Sequence, residues 1–277
     1  MRFWVAITLG LMLLLVQLTS VQSTPALAEA YPSPHLDQLS AEQIDTITQL
    51  RQQAFEATES GDFVAAELYW TQLLAFLPEN AAIWSNRGNI KVSQNQLEAA
   101  IADFDRAIEL APHSSDPYLN RGAAYEGLGE WSKAIADYNT LLSLDANDAA
   151  AYNNRANAEA GLGQWDKAIA DYQTATELAP QFAFARANYA LALYQTGNSS
   201  EALHQLRSLV RKYPQLADAR AALTAILWVT GQRGEAESHW VAAVGLDKRY
   251  SDLAWVAQTR RWPPAMVMAL EKFLKLS

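Results

Sequence analysis

The sequence predicts an all-α fold of six tandem 34-residue helix-turn-helix repeats, closed by C-terminal capping helices. One observation is a series of asparagines spaced 34 residues apart: Asn86, Asn120, Asn154 and Asn188. A second is an alanine at one position of all six units, followed four residues later by a large apolar residue. Identical residues at an unbroken spacing indicate one structural unit copied in tandem.

The N-terminal residues 1–28 have the pattern of a Sec-type signal peptide. Arg2 precedes an apolar run over residues 3–18, and the segment ends in Ala26-Leu27-Ala28. We expect cleavage after Ala28 and an exported chain, in a periplasm or a thylakoid lumen. An uncleaved signal anchor is the alternative.

Residues 29–40 are predicted to be a linker, because Pro32 and Pro34 disfavour helix. Ser40 and Gln43 then form a capping-box pattern, so a helix should begin at residue 41.

The repeat array is predicted over residues 41–250. The units are 47–80, 81–114, 115–148, 149–182, 183–216 and 217–250. The alanines are Ala66, Ala100, Ala134, Ala168, Ala202 and Ala236, and the large residues are Trp70, Phe104, Tyr138, Tyr172, Leu206 and Trp240. A small side chain lets two helices approach closely, while the large one fills the space beside it. The turn between the helices is predicted at Gly61, Asn95, Gly129, Gly163, Gly197 and Gly231.

The C-terminal residues 251–277 are predicted to contain two capping helices. Residues 251–258 should form a helix of the first type, and residues 265–276 a last amphipathic helix over the open end of the array. The sequence Arg260-Arg261-Trp262-Pro263-Pro264 lies between them. It either belongs to this cap or is a docking motif.

These units resemble the tetratricopeptide repeat (TPR) family, most clearly in residues 115–148. The residues of that unit that match the family pattern are Tyr118, Gly122, Tyr125, Ala134 and Tyr138. The resemblance implies a right-handed α-solenoid that binds proteins on a concave face lined by the first helix of each unit. With the signal peptide and the Trp-rich ends, the chain also resembles cyanobacterial and plastid repeat proteins that help to assemble photosynthetic complexes.

The candidate binding residues follow from this placement of the first helices. A carboxamide both donates and accepts hydrogen bonds, so a row of asparagines could pair with the backbone of an extended peptide. The row consists of Asn86, Asn120, Asn154 and Asn188, flanked by Asn89, Asn153 and Asn157. Alternatively, each Asn hydrogen-bonds a neighbouring helix.

Tyr194 belongs to an apolar last third of the same face. Its apolar residues are Phe184, Leu191, Tyr194, Ala221, Ala225 and Trp228. This surface either receives a partner's side chains or is covered by the helix at 265–276.

Three arginines are predicted to form internal ion pairs rather than an anion site. Each precedes an aspartate by 16 residues: Arg87 and Asp103, Arg121 and Asp137, Arg155 and Asp171. Units without the Arg also lack the Asp, which favours pairing across the helical hairpin.

The composition argues against several classes of function. The chain has 21 Lys and Arg against 30 Asp and Glu, which disfavours nucleic-acid binding, and it has no Cys. Its four His are scattered and it has no Gly-rich phosphate loop, so we expect no catalytic or metal site and no cofactor.

The expected function is therefore a non-enzymatic, monomeric scaffold for a partner protein or peptide. Membrane contact is expected only through the signal segment or a membrane-protein partner. An assembly factor for a membrane photosynthetic complex is the leading role, and an interaction module of cell-envelope or wall synthesis is the alternative.

Overall fold

A computed structural model describes residues 39–276, and these contain thirteen α-helices and no β-strand. The predicted signal peptide and all but the last two residues of the predicted linker lie outside the described residues. By internal packing the chain divides after Ala146 into two compact units, unit 1 and unit 2.

Unit 1 is three helical hairpins. Its helices are α1 (Ala41–Ser60), α2 (Phe63–Phe76), α3 (Ala81–Ser93), α4 (Leu97–Leu110), α5 (Ser115–Gly127) and α6 (Trp131–Leu144). We call the odd-numbered helices of the hairpins first helices and the even-numbered ones second helices.

Unit 2 is three more hairpins and a C-terminal segment. Its helices are α7 (Ala149–Gly161), α8 (Trp165–Leu178), α9 (Ala183–Gln195), α10 (Ser199–Lys212), α11 (Ala217–Val229), α12 (Arg233–Leu246) and α13 (Pro264–Leu274). The predicted all-α hairpin fold is thus confirmed.

The turn within each hairpin lies at the predicted residue. The backbone there adopts the left-handed conformation, with φ of 61° at Asn95 and of 73–88° at the five glycines. Gly tolerates this conformation because it lacks a Cβ, and Asn is the side chain that most often shares it.

The predicted alanines lie in the interior of the hairpins. All six are fully buried. In unit 1 the ring of Phe104 lies against Gly88, and that of Tyr138 against Gly122.

The first helix begins with the predicted capping box. Ser40 Oγ accepts the Gln43 N–H at 3.2 Å, and Gln43 Oε1 accepts the Ser40 N–H at 2.8 Å. Both bonds satisfy backbone donors that the helix itself leaves without partners.

The helix predicted at 251–258 forms in part. Residues 253–254 are α-helical and continue into a π-helical turn at Trp255–Thr259, whereas Ser251 ends a 3₁₀ turn that begins at Lys248. On both sides of this stretch, Tyr250, Arg260 and Trp262 donate hydrogen bonds to a buried carboxylate on α11.

No helix within residues 39–276 is both long enough and apolar enough to cross a lipid bilayer.

Candidate functional site on the first helices

All eight predicted binding residues lie on first helices. Asn86 and Asn89 are on α3 and Asn120 is on α5, in unit 1. In unit 2, α7 carries Asn153, Asn154 and Asn157, and α9 carries Asn188 and Tyr194.

The side chains of the three unit 1 candidates, Asn86, Asn89 and Asn120, make no hydrogen bond within the described residues 39–276. Asn86 and Asn89 are three residues apart and share one face of α3, which packs against α5. Asn120 occupies the Asn86 position on α5 and is 5% exposed, yet its amide atoms keep access to solvent. Because an amide offers two donors and an acceptor, these three side chains have their hydrogen-bonding capacity open to a ligand.

The unit 2 asparagines are instead hydrogen-bonded to one another. Asn188 Nδ2 donates to Asn153 Oδ1 at 3.1 Å and to Asn157 Oδ1 at 3.3 Å. Asn153 Nδ2 donates to Asn154 Oδ1 at 3.1 Å, and the Tyr172 hydroxyl donates to Asn157 Oδ1 at 2.7 Å. In unit 2 these contacts therefore match the alternative prediction, in which the asparagines hydrogen-bond a neighbouring helix.

Asp218 on α11 is the centre of a buried cluster that the sequence pattern does not reveal. Its carboxylate accepts hydrogen bonds from the Tyr250 hydroxyl at 2.7 Å, from Trp262 Nε1 at 2.9 Å and from Arg260 at 2.7 and 2.8 Å. Burial lowers the pKa of Arg260, but the charge of Asp218, the nearby Tyr250 and the hydrogen bond to Asp218 together outweigh it, and the pKa is raised. Arg260 also donates to Asn188 Oδ1 at 3.1 Å, so this cluster is joined to the unit 2 amides.

The segment 260–264 therefore belongs to the C-terminal cap, the first of its two predicted roles. Trp262 and Pro263 are buried, and the Ala265 N–H donates to Gln195 Oε1 at 2.9 Å.

The apolar last third of the first-helix face is covered by α13. This is the second of the two predicted roles of that surface, namely that the C-terminal helix covers it. Met266, Leu270 and Phe273 share a core cluster with residues of α9 and α11, and the ring of Phe273 lies edge-on to Trp228 at 5.1 Å. Tyr194 packs against this same cluster, so its contact with a partner stays a prediction.

The three predicted Arg–Asp pairs are confirmed. In each pair, the arginine Nε and Nη2 atoms donate hydrogen bonds to the two aspartate oxygens. The donor–acceptor distances are 2.7–2.8 Å for Arg87, 2.6–2.9 Å for Arg121 and 2.6–2.9 Å for Arg155. This two-point geometry orients the guanidinium as well as binding it.

Arg121 has a further contact that the sequence interpretation missed. Its Nη1 donates to Asp105 on the preceding second helix at 2.6 Å, so Arg121 joins α4, α5 and α6. The hydrogen bond with Asp137 is the main cause that raises the pKa of Arg121. The spacing holds the missing signal, because Asp105 precedes Arg121 by the same 16 residues by which Asp137 follows it.

Within residues 39–276, no group of three or more His, Asp or Glu side chains could hold a metal ion.

Four family models match the chain. One described as "TPR repeat" covers residues 88–129, and three described as "Tetratricopeptide repeat" cover 115–148, 149–182 and 188–216. The human "Tetratricopeptide repeat protein 36" is 31% identical over 83 residues, which are 30% of this chain and 40% of that protein.

Solved structures of TPR proteins have the same fold. A TPR protein of Parabacteroides merdae aligns with a TM-score of 0.62 at 20% identity, over 83% of this chain and 99% of that one. YrrB, described as having an unusual peptide-binding site, aligns with a TM-score of 0.52 at 22% identity, over 73% of this chain and 97% of that one. TTC0263 of Thermus thermophilus aligns with a TM-score of 0.55 at 18% identity, over 66% and 99% of the two chains.

Proposed function

We propose, from the premise that this chain belongs to the tetratricopeptide repeat family, that it is a non-enzymatic scaffold binding an extended peptide on the first helices of unit 1. The contact residues are Asn86, Asn89 and Asn120. They pair with the peptide backbone, so binding depends little on the peptide's sequence.

One observation carries this proposal: within residues 39–276 the amides of Asn86, Asn89 and Asn120 have no hydrogen-bond partner, whereas those of Asn153, Asn154, Asn157 and Asn188 are bonded to one another. Polar groups that are partly desolvated and unpaired gain most from a ligand that supplies the missing bonds. An extended peptide supplies alternating N–H and C=O groups along its length, and an amide side chain can pair with either. We therefore propose three of the seven predicted asparagines as peptide contacts.

The test uses linear peptides selected by display on residues 29–277, with affinity then measured by fluorescence anisotropy. Replacing Asn86 and Asn120 together with Ala should weaken binding about tenfold, because each lost hydrogen bond is worth about 0.5–1.5 kcal/mol. The thermal unfolding temperature should hardly change, since neither amide bonds the protein.

Asn157→Ala is the matched control. It removes an amide that is bonded inside unit 2, so it should lower the unfolding temperature and leave peptide affinity unchanged. Equal affinity loss in the control, or none in the double variant, would place the peptide elsewhere.

For the cellular role we propose an assembly factor that holds a flexible segment of a membrane complex during its construction. The predicted signal peptide supports action outside the cytoplasm. Mild crosslinking and capture with the wild-type chain should return photosystem subunits, and Asn86→Ala with Asn120→Ala should lose them. Recovery of wall-synthesis enzymes or glycan would favour the alternative envelope role.

A further inference from the structure

Two cavities in unit 2 lie at the positions where the periodic Arg–Asp pair is missing. The larger, of about 290 Å³, contains Leu223 and His239 in place of the pair. The smaller, of about 230 Å³, contains Tyr189 and Gln205 in the same two places. The long guanidinium that fills this space in other repeats is absent from both.

The larger cavity has the reverse polarity of its counterpart in unit 1. There, Arg121 lies between Asp105 and Asp137. The residues 102 positions later, three repeat lengths on, are Leu223, Arg207 and His239. A cation between two carboxylates is thus replaced by an apolar residue between a guanidinium and an imidazole.

Arg207, which lines the larger cavity, is already held by a carboxylate of the chain, and its Nη2 also donates to Gln232 Oε1 at 2.8 Å. Its Nη2 and Nε donate to the two oxygens of Glu235 at 2.7 and 3.2 Å, bridging α10 and α12. A carboxylate held at two points is the preferred partner of a guanidinium. Among residues 39–276, Glu235 is the only acidic residue that lines this cavity.

His239 is fixed as a hydrogen-bond donor toward this cavity. Arg220 Nη1 lies 3.3 Å from His239 Nδ1, and since a guanidinium has no acceptor, Nδ1 must accept. The neutral ring then carries its proton on Nε2, which lies 3.9 Å from Glu235. Burial and the charge of Arg220 lower the pKa of His239, so the ring is neutral at pH 7.

Two further donors at the rim of this cavity are exposed. Arg211 and His204 have no hydrogen bond or ion pair within residues 39–276. The floor, in contrast, is apolar, formed by the buried Leu223 and Val210.

The local charge differs from that of the whole chain. The residues that line the cavity include Arg207 and Arg211 against Glu235, whereas the chain has a net charge of −9. The net negative charge of the chain repels a long polyanion such as a nucleic acid, so binding of a polyanion is disfavoured. A single acidic side chain is attracted mainly by the positive charges close to the cavity.

We propose that this cavity is a second binding site, which takes an acidic side chain from a segment of a partner protein. The carboxylate pairs with Arg211 and with Nη1 of Arg207, whose Nε and Nη2 are held by Glu235 and Gln232, and it accepts from His239 Nε2. The partner's aliphatic carbons contact Leu223 and Val210. The polar residues of the site lie on the second helices α10 and α12 of unit 2, with Leu223 of α11 in its floor. The asparagines of the proposed peptide site lie on first helices of unit 1, so each site can be tested without the other.

The test uses a fluorescein-labelled peptide, Gly-Leu-Glu-Glu-Leu-Gly, and its counterpart with Gln for Glu, on residues 29–277 at pH 7. The acidic peptide should bind and the Gln peptide should bind at least tenfold more weakly. Arg211→Ala should weaken the acidic peptide about tenfold. Glu235→Gln should tighten it severalfold, because it frees Arg207 from a competing charge and keeps the side chain's shape.

Arg106→Ala is the matched control, since Arg106 is a partly exposed arginine on a second helix of unit 1, paired with Glu109. It should leave the affinity unchanged, as should Asn86→Ala with Asn120→Ala. Thermal unfolding of each variant checks that the fold is intact.

The proposal is overturned if both peptides bind equally, or if Glu235→Gln weakens binding. It is also overturned if inorganic phosphate or single-stranded DNA displaces the peptide at a lower concentration than the unlabelled peptide does.

Discussion

Among single side chains, Glu159 on α7 is buried with one carboxylate oxygen, Oε2, that accepts no hydrogen bond. Burial is the main cause that raises its pKa, to about 7 from an ordinary 4.5, and the nearby charge of Asp171 adds to it. Arg155 and Lys167 oppose the shift without cancelling it.

The folded state therefore keeps a proton on Glu159 that the unfolded chain releases near pH 4.5. Between about pH 4.5 and just above 7 this group's contribution to stability falls as pH rises, because ionisation favours the unfolded state. Glu159→Gln should be nearly neutral at pH 5 and should stabilise unit 2 by about 1–3 kcal/mol at pH 8.

Chemical denaturation at the two pH values measures this difference. Glu98→Gln, at an exposed position of α4, is the control and should shift stability equally at both. A gain from Glu159→Gln that is the same at pH 5 and pH 8 would contradict the assignment.

Gly122 shows how little space a hairpin leaves between its helices. A Cβ there would lie 2.5 Å from Cε1 of Tyr138. That ring is fully buried, and its hydroxyl donates to Glu126 at 2.6 Å, so it cannot easily move away. The helical gain of about 1 kcal/mol from Gly to Ala is smaller than the overpacking cost of about 1–3 kcal/mol.

Gly122→Ala should therefore destabilise unit 1 by up to about 2 kcal/mol, measured by denaturant unfolding. Gly234→Ala is the matched control, because a Cβ on Gly234 would meet no atom within 4 Å. It should stabilise the chain by a few tenths to about 1 kcal/mol. If both variants gain stability, the contact with Tyr138 does not restrict the hairpin.

At the scale of elements, Asp218 fastens the C-terminal segment onto α11. Asp218→Asn would leave Arg260 as a buried cation without its counter-charge, which typically costs about 3–5 kcal/mol. We expect faster hydrogen exchange of the backbone amides in residues 262–274, where Trp262 and α13 would detach from α9 and α11, and a lower unfolding temperature.

Asp247→Asn is the control for this change. Asp247 pairs with Arg249 at 2.6 Å, but both side chains are partly exposed, so its loss should cost less than about 1 kcal/mol. Unchanged exchange of residues 262–274 in Asp218→Asn would mean that apolar packing alone holds α13.

At the scale of the whole molecule, the periodic features are those that the sequence predicts correctly. The Ala134 column, the turn at Gly129 and the Arg121–Asp137 pair each occur in several copies, so their spacing reports a shared packing geometry. One sequence then supplies several examples of the same contact.

The features that depend on a single copy could not be predicted. Asp218 meets Tyr250, Arg260 and Trp262 across 32, 42 and 44 residues, and no other repeat contains this set. Nor does periodicity distinguish Asn120 from Asn188, since the same residue in the same column is unpaired in one unit and bonded to Arg260 in the other. The surroundings of each copy decide its role.

Export is the remaining prediction for the molecule as a whole, and it rests on residues 1–28. If Ala26-Leu27-Ala28 is the cleavage site, the N-terminal sequence of the protein recovered from the periplasmic or lumenal fraction should begin at Glu29. Replacing Ala26 and Ala28 with bulky residues should retain the segment, because the peptidase accepts small residues at these positions. The control is the same change at Val21 and Ser23, which should leave processing intact. A chain recovered in the cytoplasmic fraction with Met1 in place would show that this segment does not direct export, and a chain in the membrane fraction with its segment kept would favour the anchor.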